Sequence, residues 1–253
     1  MLFHTNFSES QRRLLRSVFP PLNSRLRKHD TFDILEAIFF IVKTGIQWAR
    51  LPLGYPPYKT VYYHYRCWGE CGDLDLALHV LVCMKREDNG QSREPDTGVV
   101  DSQSVRKGLP HSESGIDGGK RIKGIKRHIM TDDNGFPLGV HVTRANVHDS
   151  RGAEPLITNT LSLFRNIYTV KGDLGYRGAF RDMPFCELGV MLDCVKSNFG
   201  TSQFIPIDGR WVVERAFSWL QNYRRLTCNF ERYRSTARAM TMFACVFFML
   251  RYF

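Results

Sequence analysis

His128-Ile-Met-Thr-Asp-Asp-Asn-Gly-Phe-Pro-Leu-Gly-Val-His-Val-Thr143 sets two apolar runs on either side of Asp133-Asn134-Gly135. Asn-Gly between such runs is a strong hairpin signal. The reading predicts strands over 128–132 and 137–143, with Asp132 and Asp133 as turn residues. Upstream, Thr97–Ser102 reads as a buried strand carrying Asp101 near its end. Downstream come a helix from about Ser150 to Phe164 and a strand Ile167–Val170 running into Gly172-Asp173. Another helix, a short strand Met191–Val195 and a helix around Glu214 follow.

The order is therefore strand, strand, strand, helix, strand, helix, strand, helix. A mixed sheet led by a hairpin, with helices packed on it, is an α/β architecture of the ribonuclease-H-like plan. In that plan the first and fourth strands lie side by side, and the last helix crosses them. Before residue 86 the pattern is helical instead. Ser8 with Gln11 forms a capping box for a helix to about Val18. Asp30 or Thr31 caps a second helix, with Ile34, Leu35, Ile38, Phe39 and Val42 inward and Gly45 as its stop. A third helix, roughly Lys59–Trp68, interleaves aromatics with Lys59, His64 and Arg66, and a fourth starts near Asp73. Short helices of this kind suit a helix-turn-helix module, with Lys59 and Arg66 toward DNA, and equally suit a plain helical bundle. The polar segment Arg86–Asp96 reads as a linker. The expected organisation is a helical, DNA-binding N-terminal domain over 1–85, a linker over 86–96 and the α/β domain over 97–253.

The 253 residues carry a net charge of +10, and 18 Phe, 10 Tyr and 4 Trp mark a folded chain rather than a disordered one. A surplus that large favours a polyanionic partner, nucleic acid before membrane lipid. The charge is uneven. Lys120, Arg121, Lys123, Lys126 and Arg127 fall within nine residues without an acid, a stretch expected to track a DNA backbone. Seven scattered cysteines argue for a reducing compartment, and Cys67 with Cys71 lacks a second zinc-spaced pair. The apolar run Ala239–Leu250 is too short for a membrane span of ~20 residues and reads as a buried terminal helix. No signal peptide opens the chain, so it is expected in the cytoplasm, with no membrane partner.

Three carboxylates stand out by context. Asp101 ends an apolar strand before Ser102-Gln103-Ser104, and Asp173 ends another within Gly172-Asp173-Leu174-Gly175-Tyr176-Arg177-Gly178. Glu214 sits on a helix whose apolar side is Val213, Phe217 and Leu220, with Val212 and Ala216 beside it. Its polar side carries Arg210, Ser218, Gln221 and Arg225. Carboxylates converging from separate elements suit Mg²⁺, and two ions ~3.5–4 Å apart stabilise the attacking and leaving oxygens of a phosphodiester. A salt-bridged surface helix is the plain alternative for Glu214. Asp149 is read as a helix cap rather than a metal ligand. His128 and His148 are read as polar surface or DNA contacts, and Trp211 and Trp219 as core before base-stacking rings.

Gly119–His128, Ala145–Asp149, Asp173–Gly178, Arg210–Leu220 and Tyr223-Arg-Arg-Leu226 together resemble bacterial insertion-sequence transposases of the DDE class, in the family headed by insertion sequence five. Lys43–Pro52 also resembles that family's helical N-terminal domain. The resemblance covers nearly the whole chain. It implies a metal-binding, catalytic triad of Asp101, Asp173 and Glu214 holding two Mg²⁺ ions, with Mn²⁺ as a substitute. It implies cleavage of DNA at terminal inverted repeats, joining to target DNA, and at least a homodimer when two ends are paired. A bacterial, nucleoid-associated location goes with it. Arg210 and Arg215 would hold phosphates. Of the family's tyrosine, arginine, glutamate and lysine around the third acid, Arg210 and Glu214 match. The tyrosine position falls on Ile207 and the lysine position on Gln221, so Arg224 or Arg225 is expected to supply the cation. A ribonuclease-H-like nuclease without strand transfer, or a catalytically silent DNA-binding descendant, would share most of these features.

Overall fold

A computed structural model describes residues 7–19, 29–176, 189–195 and 211–253. The N-terminal helices are α1 (Glu9–Val18), α2 (Thr31–Thr44), α3 (Tyr58–Glu70) and α4 (Asp73–Asp88). Ser8 and Gln11 close the expected capping box on α1. Asp30 begins α2, and Gly45 ends it at φ 73°, the left-handed conformation a glycine reaches without steric cost. The inward residues of α2 are as the periodicity predicts, with Ile34, Leu35, Ile38 and Val42 fully enclosed.

The sheet follows: β1 (Thr97–Arg106), β2 (Gly115–Asp117), β3 (Ile122–Thr131) and β4 (Pro137–Arg144). Helix α5 (Asp149–Leu163) leads to β5 (Thr169–Asp173) and β6 (Met191–Val195), then α6 (Trp211–Leu220) and α7 (Arg234–Met249). Strand β3 pairs antiparallel with both β1 and β4, while β1, β5 and β6 run parallel. Spatially this gives β4-β3-β1-β5-β6, with the short β2 extending the β3 ladder. The expected neighbourhood of the first and fourth strands is the β1–β5 pair, and the fold is the α/β, ribonuclease-H-like plan with flanking helices. The helix anticipated between β5 and β6 lies outside the described residues.

The hairpin turn is tighter than its composition alone suggests. Gly135 at φ 82° supplies the left-handed residue, and Asp132 Oδ1 accepts from the N–H groups of Asn134 (3.0 Å) and Phe136 (2.8 Å). Helix α5 covers one sheet face. There Gly139 approaches Leu156 and Thr160, and Gly152 lies against the His128 ring. Helices α6 and α7 cover the other face. Arg238 on α7 donates to Val140 O (2.8 Å) and pairs with Asp75, which shields the free edge of β4.

Helix α7 is buried nearly all round, as the apolar run predicts. It receives α2, α3, α4 and β4, and Phe247 and Phe243 meet the Phe39 and Tyr65 rings of the N-terminal helices. The apolar core is continuous from Leu15 through Val246. The segment expected as a linker is therefore no break in packing. Arg86, its first residue, is buried and paired with Asp132 (2.5 Å) and Asp133 (2.9 Å) across to the hairpin turn.

Candidate active site and nucleic-acid interface

The β1–β5 ladder ends at Val99 opposite Lys171. Parallel partners share a face and side chains repeat every two residues, so Asp101 and Asp173, two residues further on, emerge side by side on one face. Asp101 Oδ1 accepts the N–H of Ser102 (2.7 Å), and Asp173 Oδ1 accepts the N–H of Gly175 (2.9 Å). Tyr176 is buried at the end of a turn over Leu174–Tyr176. Burial and the charges of Asp101, Asp149 and Asp173 push its hydroxyl well above the usual phenol range, with a Ser102 hydrogen bond opposing them. Three carboxylates thus sense one tyrosine.

Glu214 stands exposed in the first turn of α6, on the far wall of an open groove of about 310 Å³. Ser102, Gln103 and Ser104 of β1 form the near wall, and Lys120, Phe217, Ser218 and Gln221 complete the lining. Val212, Val213, Ala216, Phe217 and Leu220 are the buried residues of α6, as its periodicity predicts. The donor set is oxygen-only, the chemistry Mg²⁺ and Mn²⁺ prefer. The register sets Asp101 and Asp173 at matching positions just past the β1–β5 ladder. Among the described residues, however, no trio of His, Cys, Asp or Glu converges closely enough to hold a metal ion. Glu214 lines the groove beside Ser102, the neighbour of Asp101 in β1.

The basic stretch 120–128 divides. Lys120, Arg121 and Lys123 are exposed at and just beyond the β2–β3 turn. Lys126 and Arg127 are not available to a DNA backbone, because β3 is the strand between β1 and β4 and both of its faces are covered. Lys126 pairs with Asp149 (2.9 Å) and donates to Val147 O (2.9 Å). Arg127 donates to Leu226 O (2.8 Å), and burial lowers its pKa to about 10. His128 is fully enclosed rather than at the surface, hydrogen-bonded to Thr143 (3.0 Å), and burial lowers its pKa to about 3.

Asp149 is not the cap of α5; His148 takes that place, accepting from the Ser150 N–H. Asp149 instead accepts from Ser102 Oγ (2.7 Å) and Lys126. Burial raises its pKa, but those two donors outweigh burial and hold the carboxyl below its usual range. Sequence reasoning passed over Ser102 and Tyr176; the only signal in the chain was their position one residue and three residues after the two aspartates.

The remaining arginines also sort by burial. Arg215 lies between the Trp211 and Trp219 rings (4.3 and 4.7 Å) and donates to Asn134 O (2.5 Å), tying α6 to the hairpin turn instead of offering a free phosphate clamp. Trp219 stacks on Phe248 at 4.6 Å, a core role, whereas Trp211 is half exposed. Arg225 is buried against Glu231 (2.8 Å) and cannot serve as the groove's cation. Arg224 is exposed but packs beside Gly45, away from the groove lining. Lys59 and Arg66 are exposed on α3, Arg66 pairing with Glu70 (3.0 Å). Arg210 and Ile207 lie outside the described residues.

Comparison with known proteins matches residues 92–199 to the "Transposase DDE domain" family and residues 8–77 to "Putative transposase of IS4/5 family". A putative transposase for insertion sequence element IS402 from Burkholderia cepacia is 33% identical over 134 residues, 48% of this chain and 61% of that protein. The chain thus spans about three-fifths of that relative's length. No described helix is long and apolar enough to cross a membrane.

Proposed function

Because the chain belongs to the DDE transposases of the IS4/5 family, we propose that it cuts DNA at the ends of an insertion sequence and joins the freed 3′-hydroxyl ends to target DNA. The observation that supports this reading is that Asp101 and Asp173 each lie two residues beyond Val99 and Lys171, the last paired residues of the parallel β1–β5 ladder. Asp101, Asp173 and Glu214 would hold two Mg²⁺ ions, or Mn²⁺ in their place, which supply Lewis-acid stabilisation to the attacking and leaving oxygens. The chain's own part is orientation. The Ser102 and Gly175 N–H groups fix one oxygen of each aspartate, and buried Tyr176 packs against Gly172 of β5. Glu214 faces the strand-borne residues across a groove open to solvent, through which a DNA end enters. Lys120 in the groove lining, with the exposed Arg121 and Lys123 beside it in the chain, attracts the backbone irrespective of sequence. Recognition of terminal repeats falls to the helical segment over 1–85, through Lys59 and Arg66. Pairing two ends requires at least two copies of the chain, acting on nucleoid DNA in the bacterial cytoplasm.

The deciding experiment supplies duplexes with pre-cut 3′-hydroxyl ends and a target plasmid in Mg²⁺. Joined product is expected, and Asp101→Asn is expected to abolish cleavage and joining while duplex binding stays near wild type. Normal cleavage by Asp101→Asn would remove Asp101 from the site. Hydrolysis without joined product would favour a nuclease. A catalytically silent DNA-binding protein is the second reading, favoured by the lack, among the described residues, of a trio close enough to hold a metal ion. Binding without cleavage in either Mg²⁺ or Mn²⁺ would establish it.

A further inference from the structure

Neither Arg224 nor Arg225 lines the groove, whereas Lys120 does. We propose that Lys120 holds a DNA phosphate in the groove, and that Asp117 is the positioning residue that keeps it there. The inference rests on the groove being the DNA site. Among the described lining residues Lys120 carries the positive side chain, facing Glu214, Ser218 and Gln221 on α6.

Its backbone is pinned although it sits in an exposed Gly118-Gly119-Lys120-Arg121 turn. Asp117 Oδ1 accepts from the N–H groups of both Gly119 and Lys120 (3.0 Å each). Asp117 Oδ2 accepts from Ser104 Oγ (2.5 Å), and Ser104 is part of the groove's near wall. The turn closes with Arg121 at φ 53°, the one non-glycine left-handed residue among those described. A turn held only to expose charge needs no such anchorage. Here one carboxylate fixes the direction of the lysine's backbone and ties it to β1. A phosphodiester entering beside Glu214 meets like charge, which an ammonium on the opposing rim offsets as a compact point charge.

The test is anisotropy of a labelled duplex taken from DNA flanking the gene, titrated across salt in EDTA so that no cleavage intervenes. Losing one phosphate contact lowers the salt slope by about 0.9 and weakens binding about eightfold at about 0.1 M salt. Lys120→Ala should show both. Gln221→Lys added to Lys120→Ala should restore them, because it returns a cation to the same groove from the facing wall. Asp117→Ala removes a negative charge, so charge alone predicts tighter binding, whereas loss of positioning predicts weaker binding. Asp117→Asn keeps the turn's acceptor and should bind nearly as wild type. Thermal melting of each variant confirms folding.

An unchanged slope in Lys120→Ala, no restoration by Gln221→Lys, or tighter binding by Asp117→Ala overturns the proposal. These readouts are separate from cleavage. An active Asp101→Asn protein defeats the catalytic reading alone, and a silent Lys120→Ala phenotype defeats this one alone.

Discussion

Arg86→Ala offers the sharpest test of how the chain is held together. Arg86 and Asp132 have side chains 6% and 0% exposed, and Asp132 also caps the turn through Asn134 and Phe136. Burial pushes the Asp132 carboxyl above the usual range, and the hydrogen bonds from Asn134, Phe136 and Arg86 pull it partly back. Removing the guanidinium leaves a buried carboxylate without its cation, which costs about 3–5 kcal/mol. For a chain of this size that corresponds to a fall in melting temperature of roughly 6–20 °C.

The pH dependence gives the cause. In the variant, folded Asp132 holds its proton to higher pH than the unfolded chain does. The deficit should therefore be small near pH 4 and grow toward neutrality by up to about 1.4 kcal/mol per pH unit, until the raised pKa is passed. Urea unfolding of both proteins from pH 4 to 7 measures it. A loss below about 1 kcal/mol that does not change with pH would refute the reasoning, because it would mean that Asp132 is solvated. Since the same turn holds Arg215 through Asn134 O, cleavage by the variant should also drop below its folded fraction.

His128 is neutral and buried with a pKa of about 3, so the unfolded chain binds a proton first as pH falls below 6.5. Stability is complete above that pH and should be lost by about 1.4 kcal/mol per pH unit toward pH 3, a slope absent from His128→Leu; parallel stability curves would contradict the assignment. Gly152→Ala puts a methyl 2.2 Å from His128 Nε2, against a fully buried ring hydrogen-bonded to Thr143. Overpacking of this kind should cost about 1–3 kcal/mol in urea unfolding, and a wild-type midpoint would show that α5 can slide.

Local rules carried the sequence reading furthest where the determinants are local. The Ser8–Gln11 box, the Gly45 stop, the hairpin turn and the apolar side of α6 all depend on residues within one or two turns, and the structure agrees with each. The β1–β5 neighbourhood also followed, because strand order in this plan fixes it. What failed depends on partners far along the chain. Lys126 and Arg127 look like a solvated charge run until Asp149 and the Leu226 carbonyl are brought against them. Arg86 looks like linker until the hairpin turn meets it. Asp173 was legible as a strand-end acid, whereas Asp101 lies mid-strand, because β1 runs on to Arg106 in its pairing with β3. The place of Glu214 on the opposite groove wall, and of Lys120 in the lining, is set by how α6 and the β2–β3 turn pack.

Helix α7 also has a consequence for biosynthesis. Helices α2, α3 and α4 leave the ribosome before α7, yet the surface that covers them is residues 234–249. Until that helix is made, the nascent chain carries apolar faces with nothing to cover them, the condition under which aggregation competes with folding. A message interrupted between α4 and residue 234 therefore yields a sticky fragment for proteolysis, because the faces of α2, α3 and α4 that α7 covers stay open.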